Sequence, residues 1–306
     1  MLTMDVVKLH IPVMCKEIKE YLNLRAGNIA VDATLGTGGH SLGMLEAIAP
    51  GGRLIGIDRD QESLEIAKER LLTVNNNYDI IYGNFSEIDT LLVNLGVEQV
   101  DGILFDLGVS SYQLSDPTRG FSFRNDGPLD MRLDRNSYIS AYDLINNLNE
   151  EEISNLLWAF GQERWHNRIA RLLVSERKKH AISTTAELSD IVLRAVPYKY
   201  RYYRIHPATR TFQAVRIAVN RELEVLDTAL SKAVGLLRKG GRICVISFHS
   251  LEDRIVKHNF RRLTSNGLID IITDKPLQPN ETEVQDNPAS RSAKLRVAQR
   301  CTNETI

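Results

Sequence analysis

The stretch that decides the fold is residues 30–41, AVDATLGTGGHS, which is a short apolar segment followed by a cluster of glycines. The helix predicted after the cluster has apolar residues at helical spacing, namely Leu42, Leu45, Ile48 and Ala49. A strand, a glycine turn and a helix in this order bind nucleotides in open α/β sheets, because glycine lets the backbone approach a ligand closely. The motif lacks the third glycine of the dinucleotide fingerprint, so an ordinary turn is the alternative.

The next apolar segment, residues 52–58, ends on Asp58, twenty positions after Gly38. At this spacing a carboxylate at the end of the second strand accepts hydrogen bonds from both hydroxyls of a ribose. The alternative role for Asp58 is to cap the helix predicted after it, and both roles can hold together.

The bulk properties are those of an ordinary globular chain. Its 306 residues predict about two domains, and it is 43% hydrophobic and 25% charged, with a net charge of −1. Residues 1–12 lack the apolar core of a signal peptide, and no apolar run reaches the roughly 18 residues of a membrane span. The three cysteines form no C-x-x-C pair, which favours a reducing compartment and argues against zinc. We therefore expect a cytoplasmic protein without a metal site or membrane association.

Strands and helices alternate through residues 1–108, with strands predicted at 28–34, 53–58, 78–82 and 100–107. The alternation then stops for a polar loop at 110–136 and a series of helical patterns that ends near residue 206. It resumes with one long helix at 211–238, stopped by Gly240 and Gly241, and a strand at 242–247. Two further strands, 268–273 and 293–298, have no helix predicted between them and should form an antiparallel hairpin.

These patterns predict an α/β fold with an inserted all-helical domain. Residues 1–108 and 207–306 form the sheet domain, and residues 109–206 form the insertion, which we expect to recognise the substrate. Seven strands, of which the last two form a hairpin, are typical of the Rossmann-like sheet of class I S-adenosylmethionine-dependent methyltransferases. This is fold-level analogy.

Ligands of such sheets bind beyond the carboxyl ends of the strands, where Phe85 and Asp106 follow the third and fourth strands. Phe85 could face an adenine ring or pack in the core. Asp106 could accept a hydrogen bond from an amine and later its proton, or be a turn residue. Methyl transfer from a sulfonium is an in-line displacement that needs alignment rather than a metal.

The insertion has its own charge: residues 161–210 contain eleven lysines and arginines against four acids. Within it, residues 198–204, YKYRYYR, alternate cations with aromatic rings, a pattern that binds phosphates and stacks unpaired bases. A solvated helix face with a tyrosine packing seam is the alternative. Trp158, Trp165 and His166 are interpreted as packing residues. The RNA-binding candidates are Lys199, Arg201, Arg204, His206 and Arg210.

Longer stretches of the chain resemble the bacterial small-subunit (16S) ribosomal RNA cytosine-N4 methyltransferases, which modify cytidine 1402 of the decoding centre. The resemblance extends from residue 10 to about 300. The stretches that carry it are 10–13 (HIPV), 36–41 (GTGGHS), 56–60 (GIDRD), 106–111 (DLGVSS), 120–123 (GFSF), 126–132 (DGPLDMR), 206–215 and 246–257.

The resemblance implies S-adenosylmethionine as methyl donor and 16S rRNA, in the small ribosomal subunit, as partner, with either a monomer or a homodimer. It places the cofactor contacts on Gly38, Gly39, His40, Asp58, Phe85, Asp106 and Gln113, and leaves Asp106 as the catalytic candidate. Residues 106–108, DLG, differ from the Asp/Asn-Pro-Pro-aromatic signature of many DNA amine methyltransferases.

Two other functions fit part of the pattern. A nicotinamide-dependent dehydrogenase shares the first strand–helix–strand unit, but the C-terminal hairpin and the missing third glycine disfavour it. A non-catalytic RNA-binding protein would share the basic insertion, but the intact Asp58 and Asp106 argue against it.

Overall fold

A computed structural model describes residues 12–74, 77–202 and 205–302, so His10 and Ile11 of the predicted motif and the RNA candidate Arg204 lie outside the described residues. The chain forms two compact units, Met1–Ser110 with Leu223–Ile306, and Ser111–Glu222. The second unit extends beyond the predicted insertion of 109–206, because the helix at Ala208–Asn220 packs with the inserted helices. In that contact the Gln213 side-chain amide donates to the Phe160 carbonyl at 3.1 Å.

The first unit contains a seven-stranded sheet with the order β3-β2-β1-β4-β5-β7-β6. β1 to β5 are parallel, and β7 is antiparallel to both β5 and β6. This topology confirms the predicted class I methyltransferase fold. The strands are β1 Ile29–Asp32, β2 Arg53–Asp58, β3 Tyr78–Tyr82, β4 Val100–Asp106, β5 Leu237–Ser247, β6 Ile269–Ile271 and β7 Lys294–Arg300.

The α-helices follow in chain order, with α5 to α10 in the second unit. They are α1 Cys15–Leu22, α2 Gly39–Ile48, α3 Gln61–Leu71, α4 Ile88–Asn94, α5 Ser111–Ser115, α6 Ala141–Asn147, α7 Glu150–Gly161, α8 His166–Arg177, α9 Thr185–Ala195, α10 Ala208–Asn220, α11 Glu222–Leu236, α12 Ser250–Ser265 and α13 Glu281–Asp286. Among the described residues, none of these helices has the length and apolarity to cross a membrane.

The sheet is buried on both faces, because alternate side chains of each strand point to opposite sides. On β4, Ile103 and Phe105 belong to a core with apolar residues of α4, α11 and α12, whereas Leu104 belongs to a core with residues of α1, α2 and α3. Apolar burial on both faces is what the continuous hydrophobic runs of these strands predict. It leaves the strand ends as the place for polar groups.

The second unit is helical, as predicted, and its polar loop is fixed by a buried amide. The Asn220 side chain donates to the Met131 carbonyl at 2.7 Å and accepts from the Leu133 amide at 2.8 Å. The predicted loop at 110–136 also contains α5 and a 3₁₀ turn at Pro117–Arg119. Side-chain hydrogen bonds to the backbone therefore order this loop together with its two short helical segments.

Three details of the predicted secondary structure are wrong. The single helix at 211–238 is two helices, because Arg221 has a left-handed backbone with φ 51° that ends α10. α11 ends at Leu236, and Gly240 lies within β5 instead of capping a helix. β6 and β7 are antiparallel, but the segment between them contains α13 rather than a plain loop.

Candidate cofactor site

The glycine turn after β1 has a backbone that favours glycine. Gly36 and Gly38 have positive φ values of 50° and 77°, and α2 begins at the next residue, Gly39. A Cβ on Gly38 would also lie 3.4 Å from the Cβ of Ala67 on α3. The turn thus brings bare backbone and the N-terminus of α2 to the carboxyl end of the sheet, as the sequence predicts.

Asp58 ends β2 and holds the glycine turn in place. Its Oδ2 accepts from the Gly36 amide at 2.7 Å, and its Oδ1 accepts from the Asp60 amide at 3.0 Å. The N-cap of α3 is Asp60, whose side chain accepts from the Glu62 amide, so the capping role predicted as the alternative for Asp58 belongs to Asp60. Each carboxylate oxygen of Asp58 retains a second lone pair for a ligand hydroxyl.

Burial raises the pKa of Asp58 to about 6, although the hydrogen bonds from Gly36 and Asp60 act in the opposite direction. The carboxylate that the ribose role requires is therefore the major form at neutral pH, but the group titrates within two pH units of it.

His40, in the first turn of α2, faces Asp106, at the end of β4. The Nε2 of His40 lies 3.6 Å from the Oδ2 of Asp106. Burial opposes a charge on His40, but its interactions with Asp106 and Cys15 outweigh burial and raise its pKa to about 10. His40 is therefore an imidazolium at neutral pH.

The same pair presents two polar atoms without partners. Within the described part of the chain, neither the Nε2 of His40 nor the Oδ1 of Asp106 has a hydrogen-bond partner, and both atoms are buried. A buried polar atom left without a partner costs about 1–3 kcal/mol, a cost that a ligand removes when it supplies the missing bond. This fits a site that receives the polar part of a cofactor or substrate.

A second set of side chains positions the turn against its neighbours, and these were not predicted as site residues. The buried carboxylate of Asp32 accepts from the Ser41 hydroxyl at 2.7 Å and from the Thr34 amide at 3.2 Å. The hydroxyl of Thr34 accepts from the Asp106 amide at 2.6 Å. Burial raises the pKa of Asp32 against these bonds. Short polar residues around a glycine turn are their only sequence signal.

Phe85 follows β3 in a 3₁₀ turn, Phe85–Glu87, and has the predicted packing role. Its ring packs edge-to-face on Phe105, with ring centroids 5.6 Å apart. The side chain is only partly buried, so it packs against the core and also retains an exposed portion. A role against an adenine ring stays a prediction.

Gln113 lies on α5, in the second unit, and is 3% exposed. The cofactor contact that the resemblance implies for Gln113 stays a prediction, because the other predicted cofactor residues belong to the first unit.

The RNA candidates are divided by their contacts within the second unit. Arg201 donates to the carbonyls of Val196 and Arg194 at 2.9 and 3.1 Å, which satisfies the end of α9. Arg210 donates to the carbonyl of Gln162 at 3.1 Å. These guanidinium groups therefore stabilise the helical unit, a role that a count of charges does not reveal.

The two remaining described candidates contact aromatic rings. His206 stacks on Phe123, with ring centroids 4.5 Å apart, and its Nδ1 accepts from the Ala208 amide. Burial lowers the pKa of His206, which leaves it neutral and without phosphate-binding charge at neutral pH. The Nζ of Lys199 lies 5.0 Å from the centre of the Tyr200 ring.

Comparisons with known proteins agree over nearly the whole chain. Residues 7–301 match the family model of the MraW methylase family. The chain is 48% identical over 306 residues to the ribosomal RNA small subunit methyltransferase H of Geotalea uraniireducens, covering 95% of this chain and 98% of the relative. The proteins of the same name from Halothermothrix orenii and Clostridioides difficile are 45% and 42% identical, and at least 95% of each chain is covered.

Proposed function

Because this chain belongs to the MraW methylase family, we propose that it transfers a methyl group from S-adenosylmethionine to small-subunit ribosomal RNA. The acceptor is the exocyclic N4 amine of a cytidine in the decoding region of 16S rRNA, cytidine 1402. The observation that carries the proposal is the glycine turn after β1 and the Asp58 carboxylate, hydrogen-bonded to each other at 2.7 Å at adjacent strand ends.

The residues at the strand ends fit the donor. Asp58 has lone pairs free for the two ribose hydroxyls, and the glycine turn beside it lets the backbone approach a ligand closely. The partly buried Phe85 ring retains an exposed portion that offers an apolar surface for the base.

When bound, S-adenosylmethionine supplies a methyl group on a sulfonium, which a nucleophile displaces in line. The chain's part is mostly to align the acceptor and exclude water. The unpartnered Oδ1 of Asp106 accepts a hydrogen bond from the target amine, which localises the nitrogen lone pair, and then takes that proton as the nitrogen–methyl bond forms. His40 is a positioning residue, since its charge holds the other oxygen of Asp106.

The helical second unit is the RNA-binding part in this proposal, as its excess of cations favours. A protein that modifies ribosomal RNA acts in the cytoplasm, where its substrate is. Family membership disfavours the nicotinamide-dependent dehydrogenase considered from the sequence.

The experiment is a reaction of purified protein with unmodified small ribosomal subunits and S-adenosylmethionine that carries a deuterated methyl group. Mass spectrometry of the digested nucleosides should show N4-methylcytidine with the deuterium label. Asp58→Ala should lose the product, whereas Asp79→Asn should retain it. Asp79 lies on β3 and pairs with Arg53 of β2 rather than with the glycine turn. Label in another nucleoside, or none at all, overturns the proposal.

A further inference from the structure

Two segments of the second unit bring aromatic rings and cations together. Trp165 directly precedes α8, and Tyr200 ends the 3₁₀ turn Tyr198–Tyr200 that follows α9. Their ring centroids are 5.4 Å apart. Tyr198 and Tyr202 form a second, edge-to-face pair at 5.4 Å. We refer to these four rings as the aromatic platform.

Four cations border the platform, and the guanidinium carbon of one of them, Arg201, lies 5.9 Å from the centre of the Tyr198 ring. The guanidinium carbon of Arg164 lies 5.1 Å from the centre of the Trp165 ring and 5.6 Å from that of Tyr200. Arg168 lies 5.8 Å from the Trp165 ring, and Lys199 lies 5.0 Å from the Tyr200 ring. The face of an aromatic ring attracts a cation, so these contacts keep the guanidinium and ammonium groups beside the rings.

These cations have no carboxylate within 4.0 Å among the described residues, in contrast to other arginines of the same unit. Arg132, Arg171, Arg194 and Arg216 each lie within 3.5 Å of an acid. The nearest acid in sequence, Glu163, is buried and accepts from the Trp165 amide at 2.8 Å. The positive charge of the platform is therefore not neutralised within the unit.

The rings are also more exposed than a packing seam requires. Tyr198 is 69% and Tyr202 78% exposed, although Trp165 and Tyr200 are partly buried. Large rings in water beside unneutralised guanidinium groups are typical of surfaces that stack bases and neutralise phosphates. An acidic peptide would use the charges but would have no need of four rings.

We propose that the aromatic platform binds unpaired nucleotides of RNA, with bases stacked on its rings and guanidinium planes and phosphates beside Arg164, Arg168 and Lys199. The proposal rests on the proposed function for the statement that this RNA is ribosomal. It keeps the predicted candidates Lys199 and Arg201, moves the RNA contacts away from His206 and Arg210, whose hydrogen bonds lie within the unit, and gives Trp165 a role beyond packing.

The chain offers a direct reporter, because it has two tryptophans, Trp158 and Trp165. In the Trp158→Phe variant Trp165 is the sole tryptophan. Its fluorescence should be quenched saturably by a single-stranded oligocytidylate 12-mer and much less by a duplex of equal length. Quenching that is equal with polyglutamate would show a site for any polyanion and would overturn the proposal.

The affinities of variants for a fluorescent oligocytidylate then distinguish the contribution of base stacking from that of charge. Trp165→Ala should weaken binding about tenfold, and Trp165→Phe should restore most of the affinity, since every base stacks on either ring. Arg168→Gln should weaken binding and reduce the salt slope by about one. Arg171→Gln is the matched control on the same helix, because Arg171 is 3.5 Å from Glu150 and lies beside no ring of the platform. It should change neither quantity.

The two proposals fail separately. Trp165→Ala with unchanged affinity overturns the platform, whether or not the protein methylates ribosomal RNA. If the wild type makes no N4-methylcytidine but Trp165 is quenched by single-stranded RNA, the platform stands and the proposed reaction falls. Calorimetry with S-adenosylhomocysteine should give the same affinity for Trp165→Ala as for the wild type, which shows that the variant is folded.

Discussion

The role of Asp58 gives the sharpest quantitative prediction for the cofactor site. Its two carboxylate oxygens each accept one backbone amide and would each accept one ribose hydroxyl. A hydrogen bond to a charged acceptor contributes about 1.5–3 kcal/mol. Loss of both ligand bonds in Asp58→Ala should therefore weaken binding of S-adenosylhomocysteine by about 10²–10⁴-fold. Asp58→Asn keeps one acceptor oxygen and should lose about ten- to a hundredfold.

The pKa of Asp58 adds a pH signature that a general loss of stability would not produce. Since burial raises this pKa to about 6, ligand binding should be constant above about pH 7. Below pH 6 the carboxyl must lose a proton to bind, and the affinity should fall by about tenfold per pH unit. Asp58→Asn should remove this dependence, because the amide does not titrate.

The assay is isothermal titration calorimetry with S-adenosylhomocysteine at pH 5, 6, 7 and 8, for the wild type, both Asp58 variants and the control Asp79→Asn. Asp79 is an acid of the neighbouring strand that pairs with Arg53. Circular dichroism at each pH verifies the fold. An Asp58→Ala protein that binds within about threefold of the wild type would refute the reasoning, and so would equal pH profiles for wild type and Asp58→Asn.

Three further predictions concern the packing and charge around the sites. Gly56→Ala would place a Cβ 2.7 Å from Leu35, so urea unfolding should show a loss of about 1–3 kcal/mol. Asn220→Ala removes three hydrogen bonds to the backbone of the second unit and should cost about 2–4 kcal/mol by the same measurement. His40→Gln should destabilise the protein most at pH 6. Burial opposes a charge on His40, but Asp106 and Cys15 raise its folded-state pKa to about 10, so its contribution to stability is full below about pH 6.5 and lost by about pH 10. Equal destabilisation at pH 6 and 10 would contradict this. A Gly56→Ala protein of unchanged stability, or an Asn220→Ala loss below about 0.5 kcal/mol, would contradict the other two.

The sheet was predictable because its elements carry local signals. Strands β1 to β4 are apolar runs with glycine or acid at their ends, and their alternation with helices predicts a parallel sheet. The break between α10 and α11 has no such signal. Apolar periodicity continues through Arg221, and an arginine is not the residue that usually adopts the left-handed φ of 51°. The sequence does not predict the start of β5 at Leu237, because residues 238–241 are polar or glycine and favour a turn.

The sequence predicts candidate site residues where a strand end or a glycine turn alone points to them. Asp58 and Asp106 follow from their places after β2 and β4, and Gly38 follows from the turn. The pairing of His40 with Asp106 depends on two segments brought together by the fold, which no spacing in one sequence reveals. The sequence does not predict the aromatic platform for the same reason. Trp165 and Tyr200 are 35 positions apart and meet only through the packing of the helical unit.

The most direct test of the account is a map of N4-methylcytidine in 16S rRNA from a strain that lacks this gene. We predict that cytidine 1402 is unmodified in that strain, that the wild-type gene restores the methyl group, and that the Asp58→Ala gene does not. An unchanged modification at cytidine 1402 in the strain without the gene would contradict the account and favour a non-catalytic role in RNA binding.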